Sequence, residues 1–301
     1  MVGFASVNGN ITSLAEASVP LLDRGFLFSD NVFEVFVAVQ GFVLDCKKHL
    51  TRLRRSAETI GIPIPWSDEQ LAFEIQALVD QVQNPKTYIR LVVTRGVGAY
   101  LKIPKDIQPQ RYVICLPAAQ ESPSVYKDGV RLKTFLGQKG VSDVTPKTGN
   151  YLPAILAMNQ AQKESYDDVL WTNAHREITE AGTANIFFVG RHGDLVEIAT
   201  PPLASGILEG ITRSTIIELL ERSKIPVTQR VIDLAELARF DEAFLSSTVK
   251  GLVPVQVIDQ KKFFTLRPQS VFNKIQSLYL TWVQTQVGGR VDWNSGAFVR
   301  E

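Results

Sequence analysis

The sequence predicts a mixed α/β protein of two domains, and three observations lead there. Strand-like apolar runs alternate with amphipathic helical stretches from residue 31 onward. One polar, proline-containing stretch, "QESPSVYKDG", interrupts that alternation. The composition is that of an ordinary globular chain, with 301 residues of which 45% are hydrophobic and 21% charged. The expected division is a small α/β domain over 1–118, a linker over 119–128 and a larger α/β domain over 129–301. A cleft between two such domains is a common place for a small-molecule site.

The elements follow in order. "NVFEVFVAVQGFVLDC" reads as two strands around a Gln40-Gly41 turn, since β-branched and aromatic residues cluster and glycine supplies the turn. "KKHLTRLRRSAETIGI" reads as a helix with Leu50, Leu53, Ala57 and Ile60 on one face and basic residues on the other. "SDEQLAFEIQALVDQV" is a second helix, opened by Ser67 as N-cap and by acidic residues in its first turn. "TYIRLVVTRG" and "RYVICLPAA" are strands. After the linker come the helix "NYLPAILAMNQAQKESY" and the strands "DDVLWTN", "EITEAG" and "ANIFFVG". The helix "GITRSTIIELLERSKI" and the strands "DEAFLSST" and "VPVQVID" complete the pattern.

Several function classes are disfavoured. A net charge of +1 provides no field to recruit nucleic acid or an anionic membrane. The N-terminal "MVGFASVNGNITSLAEA" lacks the basic and apolar regions of a secretory signal, and no apolar run reaches the roughly 18 residues of a membrane span. Cys46 and Cys115 both sit in strand-like apolar runs, which suits buried thiols and a cytoplasmic location. His49, His175 and His192 have no metal-ligand spacing, so no metal site is expected.

Four features carry chemistry. Lys147 stands between Pro146 and "TGNYL", where a polar segment gives way to an apolar helix. Glu180 precedes a small-residue turn and is either a surface turn residue or a buried acceptor for a cationic ring nitrogen. Gly210, Ile211 and Thr212 open a helix whose first N–H groups either cap themselves or receive a phosphate. In "TYIRLVV" alternation puts Tyr88 and Arg90 on one face and Ile89 and Leu91 on the other, so Arg90 is either solvated at an edge or set against an anion.

The order and spacing of "HLTRL", "PKTGNYL", "ITEAGTANIFFV", "GITR" and "FLSST" resemble the class IV aminotransferases, the fold-type IV pyridoxal phosphate enzymes. These include branched-chain aminotransferases, D-amino acid aminotransferases and aminodeoxychorismate lyases. The resemblance runs from "LLDRGFLFSD" to "VPVQVID". It implies a two-domain fold with a small N-terminal α/β domain and a larger pseudo-barrel domain, pyridoxal 5'-phosphate as cofactor, and a homodimer. It implies that Lys147 binds the cofactor's aldehyde carbon and moves the substrate's α-proton, and that Glu180 pairs with the ring nitrogen. Arg52, Ile211 and Thr212, joined by Thr248, match the phosphate clamp, and Leu208 matches a side chain that packs on the ring. Phe33, Tyr88, Arg90, Lys102, Thr248 and Val249 match substrate-facing positions.

Substrate signals are mixed. The Tyr-x-Arg of Tyr88 and Arg90 resembles branched-chain enzymes, whereas "LDRGFLFSDNVFEVF" resembles D-amino acid enzymes. The Arg-x-His carboxylate trap of D-specific members is replaced by Tyr100 and Lys102, and "SSTVKGLVPV" resembles some lyases. "KTGNY" is one residue shorter than the branched-chain pattern, which leaves Tyr151 either supporting the cofactor's phenolic oxygen or packing; His49 reads as structural. The expectation is transamination between an amino acid and a 2-oxo acid, leaning to branched-chain L-amino acids with 2-oxoglutarate. A D-amino acid aminotransferase and an aminodeoxychorismate lyase are the alternatives. A cofactor-less binding module would tolerate loss of Lys147 or Glu180, and both are present.

Overall fold

The computed structural model describes residues 3–137, 145–193, 195–297 and 299; residues 141–144, ahead of Lys147, and the His192 side chain lie outside the described residues. Two compact units form, the first from Met1–Gln120, Pro146–Asn150 and Val283–Glu301 and the second from Glu121–Thr145 and Tyr151–Trp282. The lysine segment Pro146–Asn150 and the C-terminal residues Val283–Glu301 group with the first unit.

The first unit contains β1 (Phe4–Val7), β2 (Asn10–Ser13), α1 (Arg24–Phe28), β3 (Asn31–Val39), β4 (Phe42–Val43), α2 (Cys46–Thr59), α3 (Asp68–Val82), β5 (Lys86–Thr94) and β6 (Gln110–Pro117). Its six strands make one antiparallel sheet in the order β2-β1-β6-β5-β3-β4. Gln40 and Gly41, both at positive φ, close the β3–β4 hairpin, the backbone geometry that a tight two-residue turn between twisted strands requires. α3 starts with a full capping box, Ser67 and Gln70 each satisfying the other's backbone N–H. Val32, Phe36, Ile89, Leu91 and Val93 on one sheet face pack with Leu50, Leu53 and Ala57 of α2 and Leu71, Ile75 and Leu78 of α3.

The second unit begins with α4 (Pro123–Lys127), which occupies the stretch read as an irregular linker; Ser122 caps it and Pro123 stands in its first turn. Then come β7 (Val130–Leu136), α5 (Leu152–Lys163), β8 (Asp168–Thr172), β9 (Ile178–Ala181), β10 (Asn185–His192), β11 (Leu195–Thr200), α6 (Ile211–Arg222), β12 (Thr228–Gln229), β13 (Glu242–Ser247), β14 (Gly251–Ile258) and β15 (Lys261–Lys262). α7 (Val271–Val287) starts in this unit and ends in the first. The strands run β12-β11-β10-β13-β14-β7-β8-β9, with β15 on β14. β9 is the last strand of that order and β10 the third, yet only residues 182–184 join them, and the Ala181 N–H donates to the Ala184 carbonyl at 2.8 Å. A flat sheet cannot meet that condition, so the sheet curls into a half-barrel. Its interior is filled by Leu132, Leu170, Ile178, Ile186, Phe188, Leu245, Val253 and Val255. Ala154, Ala157 and Ala161 let α5 sit close on Val169 and Trp171 of β8.

The C-terminal residues belong to the first unit through specific bonds. Lys86 Nζ donates to the Trp293 carbonyl at 2.6 Å and stands 4.4 Å from the centre of its ring, and Gln40 Nε2 donates to the Gly296 carbonyl at 2.6 Å. Gly296 has φ +74°, and a Cβ there would lie 2.5 Å from the Pro85 carbonyl oxygen. Gly296→Ala is therefore expected to destabilise the protein by about 1–3 kcal/mol through left-handed strain and the clash. Urea unfolding checks this, and an unchanged midpoint would show that the segment does not dock as described.

Candidate active site

In the first unit the lysine segment is held by its main chain. The Lys147 N–H donates to Ser56 Oγ of α2 at 3.1 Å, and its carbonyl accepts the Phe33 N–H at 3.0 Å. Thr148 bridges to Val32, and a Cβ on Gly149 would fall 2.7 Å from the Asn31 side-chain amide, which would have to move for any larger residue. Register places Phe33 opposite Val92 and Val35 opposite Arg90, which puts Phe33, Val35, Tyr88, Arg90 and Val92 on the sheet face away from α2 and α3. The Phe33 ring there meets two cations, with Lys147 Nζ 4.4 Å and Arg90 Cζ 3.8 Å from its centroid. An aromatic face attracts both without neutralising either.

The opposite side of β3 carries a buried ionic cluster. Glu34, 0% exposed, accepts from Arg52 Nε and Nη2, both at 2.7 Å, and lies 2.8 Å from His49 Nδ1. Burial alone would raise the Glu34 carboxyl; the charge and hydrogen bonds of Arg52, with His49, outweigh it and bring the group down to about 2. Burial pushes the His49 imidazole below its usual value despite the neighbouring carboxylate.

In the second unit Glu180 lies on β9, buried, and its Oε2 accepts the Leu208 N–H at 3.1 Å and Asn185 Nδ2 at 3.3 Å. Asn185 Nδ2 also donates to the Leu208 carbonyl at 3.0 Å. Two residues on, Gly210 is the N-cap of α6 and makes no side-chain cap hydrogen bond, unlike Ser67 at the start of α3. Ile211 and Thr212 are buried at that end. A Cβ on Gly210 would meet Asn185 Oδ1 at 1.9 Å, so glycine is required there. Thr248 and Val249, half-buried, form the turn from β13 to β14, and Ser246 of β13 lies across the ladder from Asn185. A buried carboxylate and a helix N-terminus without its own cap can receive a protonated ring nitrogen and an anion respectively.

Comparison with known proteins decides the family. The model of the family "Amino-transferase class IV" matches residues 31–258. The chain belongs to the class IV aminotransferases. A Methanocaldococcus jannaschii protein named for branched-chain-amino-acid aminotransferase activity is 34% identical to this aminotransferase over 258 residues, 84% of this chain and 87% of the relative. A D-alanine aminotransferase of Listeria monocytogenes is 31% identical over 261 residues, 84% and 86% of the two chains. The crystal structure of the Escherichia coli branched-chain amino acid aminotransferase superposes with a TM-score of 0.86 at 23% identity over 97% of each chain, a likeness of fold. Enzymes of this class use pyridoxal 5'-phosphate, so this aminotransferase is a pyridoxal phosphate enzyme.

The other expected residues distribute as follows. Arg52 is engaged by Glu34, and Leu208 meets Glu180 through its main chain while its side chain is half-buried. Tyr88, half-buried, shares the face away from α2 and α3 with Arg90, and Lys102 is exposed in the bend after Tyr100. Tyr151 packs on the α5–β8 cluster of Ala154, Ala157 and Trp171. Sequence reasoning missed Ser56, Glu34 and Asn185. Asn185 stood inside the quoted "TANIFFV", and a polar residue opening so apolar a strand was the available signal.

The Glu34 cluster has a pH signature. Glu34 is depressed from 4.5 to about 2, so its stabilisation is complete above about pH 4.5 and is lost as pH falls toward 2. His49, also depressed in the folded state, acts in the same direction as pH falls below 6.5. Glu34→Gln removes the counter-charge of a buried guanidinium and is expected to cost about 3–5 kcal/mol near neutral pH. Urea midpoints of the two proteins should converge between about pH 4.5 and 2. A gap independent of pH would mean that Glu34 is not ionised in the fold.

Proposed function

We propose that this aminotransferase passes an amino group between branched-chain L-amino acids and 2-oxoglutarate. The observation that carries the reading is the face of the first unit's sheet turned away from α2 and α3. Beside Lys147 it offers an apolar wall of Phe33, Val35 and Val92 with Tyr88, and Arg90 is the charged residue among them. An apolar wall suits an aliphatic side chain, and the guanidinium suits the second carboxylate of glutamate. The M. jannaschii relative, named for branched-chain substrates, supports it. One specific observation favours a second reading, a D-amino acid aminotransferase: the Listeria relative at 31% identity is named for D-alanine.

The residues present fit pyridoxal phosphate. Glu180 is a buried carboxylate whose orientation is set by Leu208 and Asn185, and it would accept a hydrogen bond from the protonated ring nitrogen. The start of α6, with Ile211 and Thr212, would receive the phosphate, joined by Thr248; Arg52, which the sequence pointed to as well, is paired with Glu34 instead. Leu208 would pack on the ring. When bound, the cofactor supplies an electrophilic carbon and an electron-withdrawing ring. Lys147 would hold that carbon and then carry the α-proton at its Nζ, its travel limited because its main chain is fixed to Ser56 and Phe33. Val249, Thr248 and Lys102 complete the proposed substrate contacts. A cytoplasmic homodimer is part of the proposal. Leu152, Ile155 and Leu156 leave an apolar stripe exposed on α5 that a second copy would cover.

Arg90→Leu separates the assignments. If Arg90 receives the side-chain carboxylate, the half-reaction with L-glutamate should slow about ten- to a hundredfold while that with L-leucine is largely spared. Single-turnover rates with the two donors check this. Equal losses would move Arg90 to the α-carboxylate, and no loss would remove it from the site.

A further inference from the structure

Asn185 is the residue on which two separate features of the second unit converge. It is the first residue of β10 and 4% exposed. One amide nitrogen serves both Glu180 Oε2, at 3.3 Å, and the Leu208 carbonyl, at 3.0 Å, while the Leu208 N–H returns to the same carboxylate oxygen at 3.1 Å. Glu180, Asn185 and the Leu208 peptide therefore close a ring of three hydrogen bonds. The other end of the amide fills the space against Gly210, where a Cβ would come within 1.9 Å of Oδ1. Gly210 is the N-cap of α6. One side chain thus orients a buried carboxylate and lies directly against the N-cap of a helix.

We propose that Asn185 is a positioning residue that sets the spacing and orientation of the two cofactor-holding ends of the second unit, the Glu180 carboxylate and the first turn of α6. The inference rests on the reading of Glu180 as the partner of the ring nitrogen. Other side chains fail at this position for stated reasons. Leucine offers no donor to the two oxygens. Aspartate sets a second carboxylate against Glu180 Oε2 and the Leu208 carbonyl. Glutamine is one methylene too long for a space bounded by Gly210.

The test is titration of the apoenzyme with pyridoxal 5'-phosphate, read as a dissociation constant from protein fluorescence, for the wild type, Asn185→Ala, Asn185→Asp, Glu180→Gln and the double variant Glu180→Gln/Asn185→Ala. Thermal midpoints of the apo forms are measured alongside. Asn185→Ala and Glu180→Gln are each expected to weaken binding about tenfold, and the double variant to be no weaker than the worse single within about twofold, because one removes what the other holds. In Asn185→Asp the two facing carboxyls share a proton, so affinity relative to wild type should fall as pH rises from about 5 to 8. This isosteric variant retains the fold and keeps the test valid if Asn185→Ala does not fold. Multiplicative losses in the double variant, or wild-type affinity in Asn185→Ala with only a lower apo midpoint, would overturn the inference and reduce Asn185 to a structural residue. Unchanged affinity and absorption spectrum in Glu180→Gln would instead overturn the reading of Glu180 itself, and the inference with it.

Discussion

An ionised carboxylate with no exposure, Glu34, sets the register on which the first unit depends. Strand side chains alternate, so fixing Glu34 toward Arg52 and His49 of α2 fixes Phe33 and Val35 toward the other face. A slip of one residue would carry the carboxylate away from Arg52 and His49 and set an apolar side chain against them. With the register fixed, the Phe33 N–H meets the Lys147 carbonyl, and the Phe33 ring lies against both the Lys147 ammonium and the Arg90 guanidinium. The chemistry-bearing face of the sheet is thus determined by an ion pair on its reverse.

The second unit uses curvature for the same purpose. Because β9 and β10 belong near opposite ends of the strand order yet are joined by residues 182–184, the sheet rolls up. Glu180 and Asn185, five residues apart, are then brought together on the segment that leads into α6. The helix start carries no side-chain cap from its N-cap residue, and Gly210 there lies against the Asn185 amide. A cap such as Ser67 supplies to α3 would stabilise α6 by about 1 kcal/mol and would place an acceptor where an anion is to bind.

Much of this was legible in the sequence where the signal is local. Periodicity and caps located β3, β4, α2, α3, α5 and α6, and alternation in "TYIRLVV" gave the faces of Tyr88 and Arg90. The order of motifs led to the family and the cofactor. What escaped is non-local or carried by main chain. The helix pattern put the basic residues of α2 outside, yet His49, Arg52 and Ser56 are buried, because a carboxylate on β3 is there to meet two of them and no helix pattern shows a partner on a neighbouring strand. The place of Lys147 in the first unit depends on backbone bonds to Ser56 and Phe33, which have no side-chain signature. The same holds for the C-terminal residues, whose carbonyls, not side chains, meet Gln40 and Lys86. α4 was a different failure: Ser122 before Pro123 is a helix-start signal that the surrounding polarity obscured.

The backbone-held lysine, Lys147, is the residue proposed to engage the cofactor. Reduction of the protein with borohydride in the presence of pyridoxal 5'-phosphate, followed by peptide mapping, is expected to place a single pyridoxyl label on Lys147, in the peptide containing "PKTGNYL". A label on any other lysine, or none while the protein retains transaminase activity, would contradict it.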